Sequence, residues 1–247
     1  MKLTHTFISA AALAALTHGA SAVSLWTGGH GDFGVVYEGG EFELEWHLGE
    51  DDDDAVVDGI TIPEGEFEPD ELQLQFFNEV TLTNSTSPVI LAGIGANPGD
   101  TVYLINQNAD GIVTPIVGIG TEGLLEPGVA TWSEVTFTFN SNDGPGLFSL
   151  YRVENGIPEF AVSEAEGTST FTRPFDSHEE FNWAFTAPGV YNMNFTASAT
   201  RIPDNGDPST FEMASGTFTF LVSVPEPSSA LLVAGSTLGL LLRRRRN

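Results

Sequence analysis

The chain of 247 residues contains no cysteine. It therefore has no disulfide staples and no thiolate nucleophile or metal ligand, and its fold must be held by its core. Positive charge is nearly as scarce: eight Lys and Arg stand against 34 Asp and Glu. Five of the eight lie at the ends, as Lys2, Arg243, Arg244, Arg245 and Arg246, so residues 23–223 carry 33 acids against Arg152, Arg173 and Arg201. A stretch with a net charge of −30, histidine counted neutral, repels nucleic acid and anionic lipid and excludes both as partners. It suits divalent cations, basic partners or a salty medium, and most of its acids need be no more than solvated surface. The usual catalytic signatures are missing too: there is no G-x-S-x-G elbow, no P-loop and no H-E-x-x-H. Carboxylate pairs for glycoside hydrolysis could be drawn from so many acids at will, so their abundance favours nothing.

The two ends are patterned. Lys2 precedes a short apolar run over residues 7–16, and Ala20-Ser21-Ala22 forms an A-x-A cleavage site. That order predicts a secretory signal peptide over residues 1–22. At the other end, Val224-Pro225-Glu226-Pro227 leads into an uncharged run over residues 228–242, then Arg243, Arg244, Arg245 and Arg246. As a helix the run spans about 22 Å, short of a ~30 Å hydrocarbon core unless the bilayer thins and the arginines snorkel. The arginines mark the cytoplasmic side, so the intervening domain belongs outside the cytoplasm.

That C-terminal pattern resembles the PEP-CTERM sorting signal of Gram-negative bacteria: the VPEP motif, the short apolar helix and the arginine cluster occur in order. The resemblance implies an exosortase-type sorting protease as partner, transient inner-membrane insertion, and delivery to the cell surface or beyond. An ordinary tail anchor is the other reading of the same residues.

Between the ends the signal is strand-like. Residues 41–46, 72–76 and 135–139 alternate apolar and polar, and residues 217–222 form a last such run, which places one face of each in a core. Gly39-Gly40, Asn97-Pro98-Gly99-Asp100, Asn142-Asp143-Gly144-Pro145-Gly146 and Ala187-Pro188-Gly189 read as turns. Residues 202–209 read as a turn inside the last strand pair, and residues 111–128 as a long connection with one strand in it. No segment shows a sustained helical stripe. The expectation is a single all-β domain, a β-sandwich, over residues 23–223.

Two blocks, WTGGHGDFGVVYEGGEFELEW from Trp26 and HEEFNWAFTAPGVYNMNFTASATR from His178, together with GLFSLY from Gly146, resemble the surface-anchored domain called choice-of-anchor M. Its marks are a Gly-His-x-Asp start and a late His-x-His-Phe-x-Trp-x-Phe-x-x-Pro-Gly-x-Tyr block. Here the second histidine of His-x-His is Glu180. Membership implies a surface module for capture of a solute or metal, with the cell envelope or an extracellular polysaccharide as its setting.

His30 and Asp32 are two apart, as are His178 and Glu180, so on strands each pair points to one side. If the pairs meet, two imidazoles and two carboxylates form a ligand set for Zn²⁺ or another divalent transition metal. The plainer reading has each histidine capping a turn or hydrogen-bonding at a strand end. His47, outside both blocks, reads as structural, and Trp183, Phe185 and Tyr191 as core. Asp51, Asp52, Asp53 and Asp54 offer oxygens for Ca²⁺ but lack the spaced D-x-D-x-D-G loop, which favours a solvated loop. The expected function is a non-catalytic ligand- or metal-binding surface module, with a surface polysaccharide hydrolase as the alternative.

Overall fold

A computed structural model describes residues 23–49, 54–108 and 114–223. The expected signal peptide, most of the tetra-aspartate run, the VPEP motif and the C-terminal apolar run with its arginines lie outside the described residues. The architecture is all-β. Among the described residues two sheets, of 13 and five strands, carry almost all the regular structure.

The larger sheet runs in the order Thr170–Arg173, Val135–Asn142, Gly189–Pro203, Thr210–Val222, Leu72–Phe76, Ser24–Glu38, Glu41–Leu48, Gly65–Phe67. The smaller runs Ile157–Ser163, Phe148–Glu154, Asn182–Phe185, Thr101–Ile105, Glu79–Thr81. The alternating segments behave as expected: Glu41–Leu48 buries Phe42, Leu44, Trp46 and Leu48, and Leu72–Phe76 buries every second residue. Residues 204–209 turn the chain between the last two strands, which match from Gly189↔Val222 to Arg201↔Thr210.

One short helix departs from the expected pattern. Pro88–Ile94 is seven residues, with Pro at its first turn and Gly95 closing it in the left-handed conformation. Two turns are too few to show an apolar stripe, so Ser87-Pro88 at one end and Gly95 at the other were its readable marks.

The sheets meet through aromatic side chains. Phe33 lies within 6.4 Å of Trp46, Phe137, Phe195, Phe218 and Trp183, ring centre to ring centre. Trp183 of the smaller sheet stacks on Phe220 of the larger at 5.3 Å. Trp183, Phe185 and Tyr191 are fully buried, as core residues should be. Burying a side chain the size of Phe33 is worth about 2–3 kcal/mol. That anchor fixes the face to which its strand neighbours point: with Phe33 inward, His30, Asp32 and Gly34 must turn to the opposite face.

Candidate metal centre

The four candidate residues converge. They come together on one sheet rather than between two. Pro115–Gly120 is inserted between their strands, parallel to Ser24–Glu38 and antiparallel to His178–Glu180. Its register puts Gly118 beside both Asp32 and Glu180, and Gly120 beside both Gly34 and His178. Ile116 lies opposite His30 on this face, but the next two inserted residues on it, Gly118 and Gly120, are glycines, so side chains from the flanking strands can meet across them. A Cβ on Gly118 would fall 2.1 Å from Asp32 Oδ1 and 2.7 Å from His178 Nε2. The space is open because that position carries no side chain.

The resulting distances suit a shared cation. His30 Nε2 lies 2.6 Å from Glu180 Oε1, His178 Nε2 lies 3.1 Å from the same oxygen, and His178 Nε2 lies 3.2 Å from Asp32 Oδ1. One ligand atom from each residue falls within 4.8 Å of every other. Ligands at the corners of a tetrahedron around an ion with ~2 Å bonds are about 3.3 Å apart. The cluster would need to open by roughly 0.7 Å at its tightest contact to admit one.

The hydrogen-bond account points the same way. His30 is 6% exposed and Asp32 1%. Both oxygens of Asp32, Nδ1 of His30 and Oε2 of Glu180 are buried without a hydrogen-bond partner among the described residues. Asp32 Oδ1, 3.2 Å from His178 Nε2, forms an ion pair with that imidazole when it is protonated. A buried carboxylate left in this state costs several kcal/mol unless a cation or proton meets it. In the metal-free cluster protons fill that role. The Asp32 carboxylate first, and Glu180 second, hold the His178 imidazole up to about 11. Burial lowers His30, but the Glu180 hydrogen bond and the Asp32 charge outweigh it and leave the imidazole raised. Burial raises Glu180, but the two histidines reverse that and leave its carboxyl lowered.

His47 stands next to this site. Counting back along the hairpin from the Gly39-Gly40 turn puts His47 directly opposite Asp32 and Glu45 opposite Gly34. On the other side His47 faces Glu66. Glu45, His47 and Glu66 bring ligand atoms within 4.8 Å of one another. Burial, then Glu66 and Glu68, push the Glu45 carboxyl up to about 7. The tight turn was the sequence signal for this neighbourhood: it fixes the hairpin register, and the register aligns Asp32 with His47.

No family model matches this chain, and no curated protein matches it. Among solved structures it is similar to one titled "Structure of the N-terminal domain of PorA", at 13% identity over 66% of this chain and 92% of that chain, with a TM-score of 0.25. A likeness that slight bears on neither fold nor function.

Proposed function

We propose that this protein is an exported, non-catalytic surface module whose β-sandwich domain binds a divalent transition metal through His30, Asp32, His178 and Glu180. The observation that carries the reading is the convergence of these four side chains, with Asp32 Oδ2 and Glu180 Oε2 buried and without a hydrogen-bond partner among the described residues. Two imidazoles and two carboxylates are a borderline set that suits Zn²⁺ better than Ca²⁺, which takes oxygens alone. The departure of Glu180 from the His-x-His of choice-of-anchor M is then a change of ligand type: a carboxylate replaces an imidazole.

Export and sorting rest on the sequence of the ends. Residues 1–22 act as a signal peptide, and the VPEP motif with the terminal arginines directs an exosortase-type protease to the tail at the inner membrane of a Gram-negative cell. The acidic surface keeps the domain away from anionic envelope polymers and draws cations toward it.

Titration of Zn²⁺ into wild type and into the double variant His30→Ala/His178→Ala, with excess Mg²⁺ to occupy surface carboxylates, tests the metal reading. Wild type is expected to show a saturable site that the double variant lacks. Equal stoichiometry and affinity in the two proteins would mean that the ions sit on the acidic surface, and the proposal would fall.

A further inference from the structure

Asp32 has two oxygens, and the metal centre described above uses one. Oδ1 lies toward Gly118 and His178. Oδ2 lies on the Gly120 side, 3.5 Å from where a Cβ on that glycine would be. There it faces a small cavity of about 10 Å³ lined by Asp32, Glu45, His47 and Glu122, with glycine backbone for the rest of its wall apart from Val35. The volume is that of a single water or a bare cation. Three carboxylates and one imidazole around so small and partly enclosed a space concentrate negative charge where water screens it less than on an open surface. Asp32 is 1% exposed, and Oδ2 has no hydrogen-bond partner among the described residues. Glu45 and His47, which line this chamber, also hold ligand atoms within 4.8 Å of Glu66.

We propose that the chamber is a second cation site, held by Glu45 and His47 with Glu66 at its mouth, and that Asp32 links it to the first centre by facing one oxygen to each ion. The inference rests on the metal reading above, since Asp32 is common to both sites. Its ligand set differs, with more carboxylate and a single imidazole. It therefore suits a harder divalent ion such as Mn²⁺ or Co²⁺ alongside Zn²⁺. The cross-strand row Glu180–Gly118–Asp32–His47–Glu66 is the scaffold. Five strands place the ligands at fixed spacing on one face, and glycine leaves the gap.

The test is calorimetric and spectroscopic titration of Co²⁺ into the protein purified without chelator or metal-affinity steps, with Mg²⁺ in excess. Wild type is expected to take two equivalents. Glu45→Gln keeps the side-chain shape and is expected to take one, at the affinity of the first centre; Glu66→Gln, on the exposed side, is expected to weaken the same equivalent by at least tenfold. His30→Ala/His178→Ala is expected to lose the other equivalent. One equivalent in wild type, lost in the histidine pair and unchanged in both glutamine variants, would overturn the second site and leave the first standing. No saturable binding in wild type would overturn both, as would two equivalents retained in every variant.

Discussion

Gly118→Ala tests the geometry of the centre without touching a ligand. Gly118 lies in extended backbone between two flanking strands, outside the positive-φ glycines, so alanine meets no backbone strain there. The added methyl, however, would sit 2.1 Å from Asp32 Oδ1, 2.7 Å from His178 Nε2 and 3.0 Å from His178 Cδ2. Ordinary contact begins near 3.4 Å, so the Asp32 carboxylate must move by about 1.3 Å and the imidazole by about 0.7 Å. Displacing a metal-site group on that scale costs about 10–100-fold in affinity, or about 1.4–2.7 kcal/mol. The fold should suffer less. Overpacking costs about 1–3 kcal/mol, offset by about 0.5–1 kcal/mol because alanine restricts the unfolded chain more than glycine does. Gly120→Ala is the control on the same strand: its methyl would meet Glu122 Oε2 at 3.1 Å and Asp32 Cβ at 3.4 Å, and Zn²⁺ affinity at the first centre should stay within about threefold. Zn²⁺ calorimetry and urea denaturation of the three proteins decide it. Wild-type affinity in Gly118→Ala would show that Asp32 and His178 do not share an ion across that glycine.

Three more outcomes are expected. The His178 imidazole, held up to about 11 in the metal-free cluster, must lose its proton to ligate; apparent Zn²⁺ affinity should therefore rise about tenfold per pH unit for each proton displaced, and titrations in buffers of unequal ionisation heat should register proton release, with zero release counting against ligation by His178. Glu45, raised in the folded protein from 4.5 to about 7, binds its proton more tightly when folded, so its stabilising contribution is full below 4.5 and is lost as pH climbs through 7. Solvent screening of this half-buried group leaves about 1–2 kcal/mol, so metal-free Glu45→Gln should be more stable than wild type by that much at alkaline pH and equal to it in acid, and urea midpoints that track each other across pH would refute this. Glu179 pairs with both Arg152 and Arg173, and Arg173 is 7% exposed; Glu179→Gln strands that guanidinium and should cost about 1–3 kcal/mol, less than a fully buried pair because Glu179 is itself partly exposed. An unchanged denaturation midpoint would dispose of that expectation.

What could be read in the sequence was local. The alternation in Glu41–Leu48 and Leu72–Phe76 gave strand and buried face together, and the two i, i+2 pairs gave side chains on a common side. The turn read over residues 202–209 was legible because glycine, proline and asparagine there have few other uses, although Ile202 and Pro203 still belong to the strand before it. What was hidden is the partner of each strand. Residues 111–128 read as a connection containing one strand, and that strand, Pro115–Gly120, is the insert that brings His178 and Glu180 to Asp32. Its parallel pairing to Ser24–Glu38 joins residues 86 apart in the chain, and no short-range pattern encodes such a register. Gly118 and Gly120 looked like loop composition; in the sheet they are the space the site occupies. His47, read as structural, needed only the hairpin count from Gly39-Gly40 to be placed beside Asp32.

The route of the chain through the larger sheet bears on how the domain would carry a load. Ser24, Leu25 and Trp26 run parallel to Leu72–Phe76 on one side, and Thr219 to Val222 run parallel to it on the other. The last strand is also zipped antiparallel to Gly189–Pro203 along 13 residue pairs. Tension applied beyond Val222 would be directed along that strand. Its ladders on both sides would be strained lengthwise and together, rather than peeled open one hydrogen bond at a time. A domain tethered through this end should therefore give way abruptly and at high force, and the same domain pulled crosswise from the 204–209 turn should unzip at low force.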